Sequence, residues 1–329
     1  MDFSDFQKEM KRFKKPVCTC MSISKSGERC KNKPISSHSL QKSMALKRIQ
    51  SNGHVISPQP SFTPKTFKID LKKVGHSKAS TFPVFCKKHD KEIFSEIEDQ
   101  FEELSPKALT LLAYRSVSKE LFTKLAQIRM HTSDRFRTSM IKTHGESYYD
   151  EYIQNAVVAK AELEGAKSQL EEMLHTDSFE NFISQLFLFE DNLPCAYSGS
   201  FSPEFDLHGT KILPDSKDDW GIIFAFCGNV GGQNLLLLAS TGQQNPEQIE
   251  RWFKSVEEKE FDTLDFAINL GLDYLENIFL SPDWVEGLSP MLQKHILRKA
   301  GIGLPFAGPR SPDGLFEIQF QKAQQKTRA

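Results

Sequence analysis

Phe85-Cys86-Lys87-Lys88-His89-Asp90 closes a stretch that opens at Cys18-Thr19-Cys20, and four of the chain's six cysteines lie between these limits. A Cys-x-x-His pair stands at one end, with Cys18, Cys20 and Cys30 at the other. Zinc favours four Cys and His ligands in a tetrahedron, and paired ligands a few residues apart lower the entropy of closing the site. The spacing therefore predicts one zinc site, with two ligands from an N-terminal knuckle and two from Cys86 and His89. Cys30 belongs to the knuckle because Gly27 lets the chain turn just ahead of it. Its partner is Cys20 or Cys18, with Cys20 preferred. The competing reading is scattered buried cysteines beside a surface histidine. A disulfide framework fits less well: Met1 to Lys15 is charged throughout, unlike a secretory leader, which predicts a cytoplasmic protein with reduced thiols.

Around that stretch the charge is uneven. The whole chain of 329 residues carries a net charge of −1, yet residues 1–94 hold 20 Lys and Arg against 7 Asp and Glu. The remainder holds 22 against 36. A basic region joined to an acidic one predicts an anionic partner at one end, with nucleic acid first among such partners. No run of eighteen apolar residues occurs, so no membrane-spanning helix is expected.

The length predicts two or three domains. Phe3, Phe6, Met10 and Phe13 have helical spacing, and Pro16 ends that helix. Pro34-Ile35 begins a short strand ending near His38, and Ser39 or Ser43 caps a helix that stops at Asn52-Gly53. His54 to Ile56 is a strand, the proline-rich 57–66 a loop, and Phe67 to Leu71 an exposed strand. Phe82-Pro83-Val84-Phe85 then delivers Cys86 to the start of a helix carrying His89, Ile93, Phe94 and Ile97. His54 and His76 are loop histidines.

A ligand knuckle, the segment Ile35-Ser36-Ser37-His38, a long insert and a helix opening with Cys86-x-x-His89 together resemble a treble-clef finger. More narrowly they resemble the zinc-bearing HNH, or ββα-metal, endonucleases. The resemblance covers about 75 residues. It implies that Cys30, Cys86, His89 and one of Cys18 or Cys20 hold a structural Zn²⁺. It further implies that His38 is the general base acting on water, and that Asp90 helps to hold a second metal, Mg²⁺ or Mn²⁺. Two departures stand out. Ser37 occupies the place where the family has an acidic residue or histidine, and Ser80-Thr81 stands near the place of its asparagine.

Residues 92–176 read as helix with few breaks, one helix starting at Ser105-Pro106 with serine as cap and proline in the first turn. Tyr152, Ala156, Ala159, Leu163, Ala166, Leu170 and Met173 form a near-heptad stripe whose small residues suggest close antiparallel helix packing, with a homodimer seam over 147–175 as the other use. Beyond Asp177 the texture changes: 182–189 is intensely apolar, and strands are expected at 195–201, 220–227 and 235–240, the last two joined by a glycine-rich hairpin. Helices are expected at 246–258, 261–279 and 289–300, and an alternating strand at 315–320 that rejoins the sheet. Cys195 and Cys227 read as buried thiols in neighbouring strands, and Glu204, Asp206 and His208 as a polar turn.

The fold class expected is α+β: a basic zinc treble-clef module over 1–98, a helical spacer over 99–176 and an acidic domain over 177–329. The last is an antiparallel sheet with helices on one side. Two functions follow. One is a zinc-binding, nucleic-acid-interacting protein of HNH-like type, a DNA endonuclease on the strength of the resemblance, for which phage defence is a fitting context by analogy. The other is a non-enzymatic adaptor with a purely structural zinc and a C-terminal domain that binds another protein.

Overall fold

The strands with the longest apolar runs organise the molecule. The computed structural model describes residues 15, 19–40, 45–62, 67–99, 101–214, 220–301 and 310–320. Within these, β1 (Ser36–His38) and β4 (Thr81–Pro83) form a small antiparallel pair. A second, seven-stranded antiparallel sheet runs in the order β3-β2-β9-β6-β7-β8-β5. Its members are β2 (His54–Phe62), β3 (Phe67–Gly75), β5 (Ile183–Phe189), β6 (Cys195–Phe201), β7 (Ile223–Val230), β8 (Gln233–Ser240) and β9 (Ile278–Leu280). Helices and antiparallel sheet together make an α+β fold.

An antiparallel sheet often leaves one face to water and then alternates apolar with polar residues. Strand β7, buried at every position, and Leu235-Leu236-Leu237-Leu238 of β8 do not alternate, because both sheet faces are covered. On one face Phe224, Phe226, Leu235 and Leu237 join a core shared with α2 (Pro106–His131) and α4 (Glu146–Thr176). On the other, Ile223, Ala225, Leu236 and Leu238 pack with α5 (Pro246–Glu258), α6 (Thr263–Tyr274) and α8 (Pro290–Lys299). The one-sided packing expected for the C-terminal sheet is thus corrected. Its second cover comes from the middle of the chain.

The candidate homodimer stripe of α4 lies in that cover. Ala156, Leu163, Ala166, Leu170 and Met173 are all buried, and α4 packs along α2. The capping signal at Ser105 is realised: its Oγ accepts from the Ala108 N–H at 3.1 Å, with Pro106 in the first turn. Between α2 and α4 lies α3 (Asp134–His144), which buries no residue.

Other local expectations shift. The loop expected at 57–66 is strand as far as Phe62, with Pro58 and Pro60 inside β2. Proline is tolerated there because β2 meets β9 only at Ile56↔Leu280, so beyond that point only β3 is its partner. The helix expected over 261–279 ends at Tyr274, and Ile278–Leu280 becomes β9, which joins β2 to β6. Residues of the expected module at 1–98 and of the expected domain at 177–329 therefore contribute to one sheet. The strand expected at 315–320 is instead a 3₁₀ turn, Gly314–Phe316, held by Lys299 Nζ donating to Gly314 O (2.6 Å) and Asn269 Nδ2 to Ile318 O (2.9 Å). The N-terminal helix expected at Phe3–Phe13 lies outside the described residues, and of the helix expected after Ser39 they show Lys47–Ile49.

Candidate metal centre

Two chain segments far apart in sequence are brought together at the edge of the α2/α4 core. The first is a hairpin loop. Cys20 N–H donates to Asn32 O (2.9 Å), Cys30 N–H to Ser22 O (3.0 Å) and Ser24 N–H to Glu28 O (2.9 Å), with Gly27 turning the chain at φ +82°. A positive φ of that kind favours glycine. The second segment runs from β4 into α1 (Lys87–Glu98), with Cys86 at the N-cap. Backbone bonds tie the two: Met21 N–H to Val84 O (3.0 Å) and Ile35 N–H to Phe85 O (2.8 Å). Residues 86 and 89 stand three apart at the helix start, so their side chains fall on one face of the first turn.

The outcome is a group of four donors, Cys20, Cys30, Cys86 and His89, whose ligand atoms all lie within 4.8 Å of one another. Cys20 Sγ is 3.4 Å and Cys86 Sγ 3.6 Å from His89 Nδ1. With metal–sulfur bonds of about 2.3 Å and metal–nitrogen bonds of about 2.0 Å, a tetrahedral site has S···N edges of about 3.5 Å. The two observed edges match that length. Cys20 and Cys86 are buried and Cys30 is half-buried, and none of the three forms a disulfide. The group is able to hold a metal ion.

Electrostatics agree. Burial pushes the Cys20 thiol up to about 12, against N–H bonds from Cys86 and Ser22 that lower it. Burial also raises Cys86, but the His89 N–H and the side chains of Cys20, Asn32 and Cys30 outweigh it, and the thiol lies below its ordinary value. The start of α1 adds the positive end of a helix dipole. A divalent cation among these sulfurs would offset the cost of further ionisation.

Among the described residues this is the one group of three or more Cys, His, Asp or Glu placed to share an ion. Cys18, the other candidate knuckle ligand, lies outside the described residues. His38 ends β1 opposite Thr81, half-buried between buried Ser37 and Ser39. Asp90 follows His89 in α1, with its Oδ1 enclosed and accepting no hydrogen bond. Neither belongs to the four-donor group. The remaining candidates have plain structural places. His54, expected in a loop, opens β2 with its Nδ1 2.8 Å from Asn52 O, and His76 follows β3 with its Nδ1 2.9 Å from Gly53 O. Asp206 Oδ1 accepts from the N–H groups of His208 and Thr210, and Glu204 pairs with Arg310 at 2.7 Å. Cys195 and Cys227 are buried thiols on paired strands.

Two residues of the site carry no mark in the sequence reading. Asn32 Nδ2 lies 3.9 Å from Cys86 Sγ, and its only signal is its place two residues after Cys30. Asn277 donates to Ser39 Oγ (2.8 Å), Ser80 Oγ (3.2 Å) and Ser198 O (3.1 Å), which locks the end of β1 to β6. Ser80 adopts φ +57° there, and its Oγ also accepts the Leu40 N–H at 3.0 Å. No local pattern announces that joint.

No protein-family model matches the chain, and neither a curated protein nor a solved structure matches it. The class that the fold and the site define is an α+β protein with a Cys₃His group able to hold a metal ion.

Proposed function

We propose that Cys20, Cys30, Cys86 and His89 hold a structural Zn²⁺, and that the basic surface organised by it binds nucleic acid. The observation that carries this reading is the convergence of the four donors. It draws the loop bearing Arg29, Lys31 and Lys33 against the helix start bearing Lys87, Lys88 and Lys91, all of them exposed. Such a patch suits a phosphate backbone. Thiolate-rich donor sets select zinc over harder cations. The order of hairpin loop, strand pair and helix start supports the treble-clef reading.

The narrower form of the proposal is an HNH-like endonuclease acting on DNA. There His38 accepts the proton of the attacking water, and Asp90 is a ligand for Mg²⁺ or Mn²⁺, which would stabilise charge on the phosphate. The enclosed Asp90 Oδ1, which has no hydrogen-bond donor, supports a cation near it. The adaptor reading, with a purely structural metal and a protein partner for the C-terminal region, is favoured by a different observation. His38 and Asp90 belong to no group of three ligands among the described residues.

Metal analysis of the purified protein and of Cys86→Ala and His89→Ala tests the centre. Zinc equimolar with the chain, lost in both variants, is expected, and a zinc-free wild type overturns the proposal. Affinity for duplex DNA across a salt series tests the surface: a steep salt dependence that flattens in Lys87→Glu/Lys88→Glu is expected. Loss of Mg²⁺- or Mn²⁺-dependent cleavage in a zinc-loaded His38→Ala separates nuclease from adaptor, which has no cleavage to lose.

A further inference from the structure

The loop after Cys20, together with α1, α2 and α4, encloses a cavity of about 360 Å³. The carboxylate at its floor belongs to Glu171, whose side chain is 9 % exposed. Glu171 Oε1 accepts from Tyr114 Oη at 2.7 Å and from Lys167 Nζ at 2.6 Å. Burial, then the charge of Glu171, holds the Tyr114 hydroxyl well above its ordinary pKa, so it remains a donor to that oxygen. The second oxygen, Oε2, accepts no hydrogen bond among the described residues and is not sealed from solvent. A nearly buried carboxylate thus keeps one acceptor unused at the wall of a cavity.

We infer that this cavity is a binding site for a small organic amine, a primary ammonium on an apolar body, with the ammonium on Glu171 Oε2. The charge selects a cation. Glu92, Glu96 and Glu171 line the cavity against Lys107, which pairs with Glu96 at 2.8 Å. With Lys167 counted against Glu171, the carboxylate left over is Glu92. Its 4.0 Å pair with Lys88 lies in solvent and contributes little. One surplus negative charge suits a ligand with one positive charge.

The kind of cation follows from the acceptor. The three carboxylates form no group placed to share an ion, so a divalent metal is not the occupant. A guanidinium engages a carboxylate best through both oxygens, and Oε1 already takes two donors, whereas an ammonium needs only Oε2. Ile23, Ile93, Leu111 and Leu174 supply apolar wall, which calls for an apolar body behind the charge. A lysine side chain of another protein carries the same ammonium. Its four-carbon stem leaves most of the cavity empty, and the volume is that of a site for a whole small ligand. None of the four metal donors takes part, so the site stands or falls apart from the metal centre.

Phenethylamine is the probe, titrated calorimetrically into the whole chain beside its neutral isostere 2-phenylethanol and beside phenethylguanidine. Saturable one-to-one binding of the amine is expected, with the alcohol and the guanidine each roughly tenfold weaker or more. Glu171→Gln removes the charge and should weaken the amine roughly tenfold while leaving the alcohol unchanged. Ser95→Trp, at a half-buried wall position, should abolish binding of all three while melting temperature and metal content hold. That variant decides the matter if Glu171→Gln does not fold. An absence of saturable amine binding at millimolar concentration overturns the proposal. So does an alcohol that binds equally well, or an amine indifferent to both substitutions. A lysine tripeptide that binds more tightly than phenethylamine overturns the assignment to a free amine.

Discussion

Strands β1 and β4 are three residues each, whereas β7 and β8 are eight each and almost wholly buried. The small pair has at one end four side chains able to hold a metal ion and at the other the polar joint of Ser39, Ser80 and Asn277. The large sheet is held by apolar burial on both faces. The contrast shows two ways to stabilise chain within one molecule. A region too short to bury much apolar surface relies on ligands and hydrogen bonds with strict geometry. A sheet with two cores relies on area and tolerates small displacements.

The largest expected effect breaks the contrast if it fails. Structural zinc contributes on the order of 10 kcal/mol to the folding of small metal-dependent units. Chelation, or Cys86→Ala, should therefore open residues 19–40 and 81–98 to proteolysis and hydrogen exchange. The strand signal of the sheet should persist. Melting of the sheet in step with metal loss would show that the two regions form one cooperative unit.

Trp252 gives the reciprocal test. It is fully buried in the α5/α6 core, edge-on to Phe201 and Phe253. Trp252→Ala should cost about 3–5 kcal/mol in denaturant unfolding. Metal content of the folded protein should be unchanged.

The helical layer between the two regions adds a dependence on pH. His131 stacks on Tyr152, with ring centroids 4.7 Å apart, and burial, then the charge of Lys124, pulls its pKa from 6.5 down to about 4. The unfolded chain binds a proton in that range which the folded chain refuses. Stability present above pH 6.5 is thus lost as pH falls toward 4, by roughly 3 kcal/mol in all. Denaturation midpoints of the wild type and His131→Leu, compared between pH 7 and pH 5, should converge as the wild type loses this term.

Asn277→Ala carries the smallest effect and sharpens the comparison most. It removes the donor shared by Ser39, Ser80 and the Ser198 carbonyl, at a cost of about 1–3 kcal/mol. If the joint couples the regions, protection of residues 36–40 against hydrogen exchange should fall while that of β7 and β8 holds. Equal losses in both would place the effect in the sheet.

Much of this was legible in local pattern. The Ser105-Pro106 helix start, the β7–β8 hairpin, the boundaries of β6 and α5, and the Cys86-x-x-His89 pair follow from caps, turn glycines, apolar period and ligand spacing. Strand β9 was hidden because Ile278-Phe279-Leu280 continues an apolar run that suits a helix. Only its pairing with β2 and β6 makes it a strand. The prolines of β2 concealed a strand for a related reason, since whether a missing N–H matters depends on which neighbour lies on that side.

By itself the sequence determined the residue types of the metal group, its two-segment layout, the uneven charge and most elements, since these depend on neighbours within a few residues. Tertiary structure decided three further things. It brought the ligand atom of Cys20 within 4.8 Å of those of Cys30, Cys86 and His89. It buried the α4 stripe against α2 and the sheet, fixing which surface meets the close helix packing that the small residues suggested. And it merged the hairpin at 54–75 with strands beyond 183 through three residues of β9. Each depends on which distant surfaces meet, and short-range propensity has no term for that.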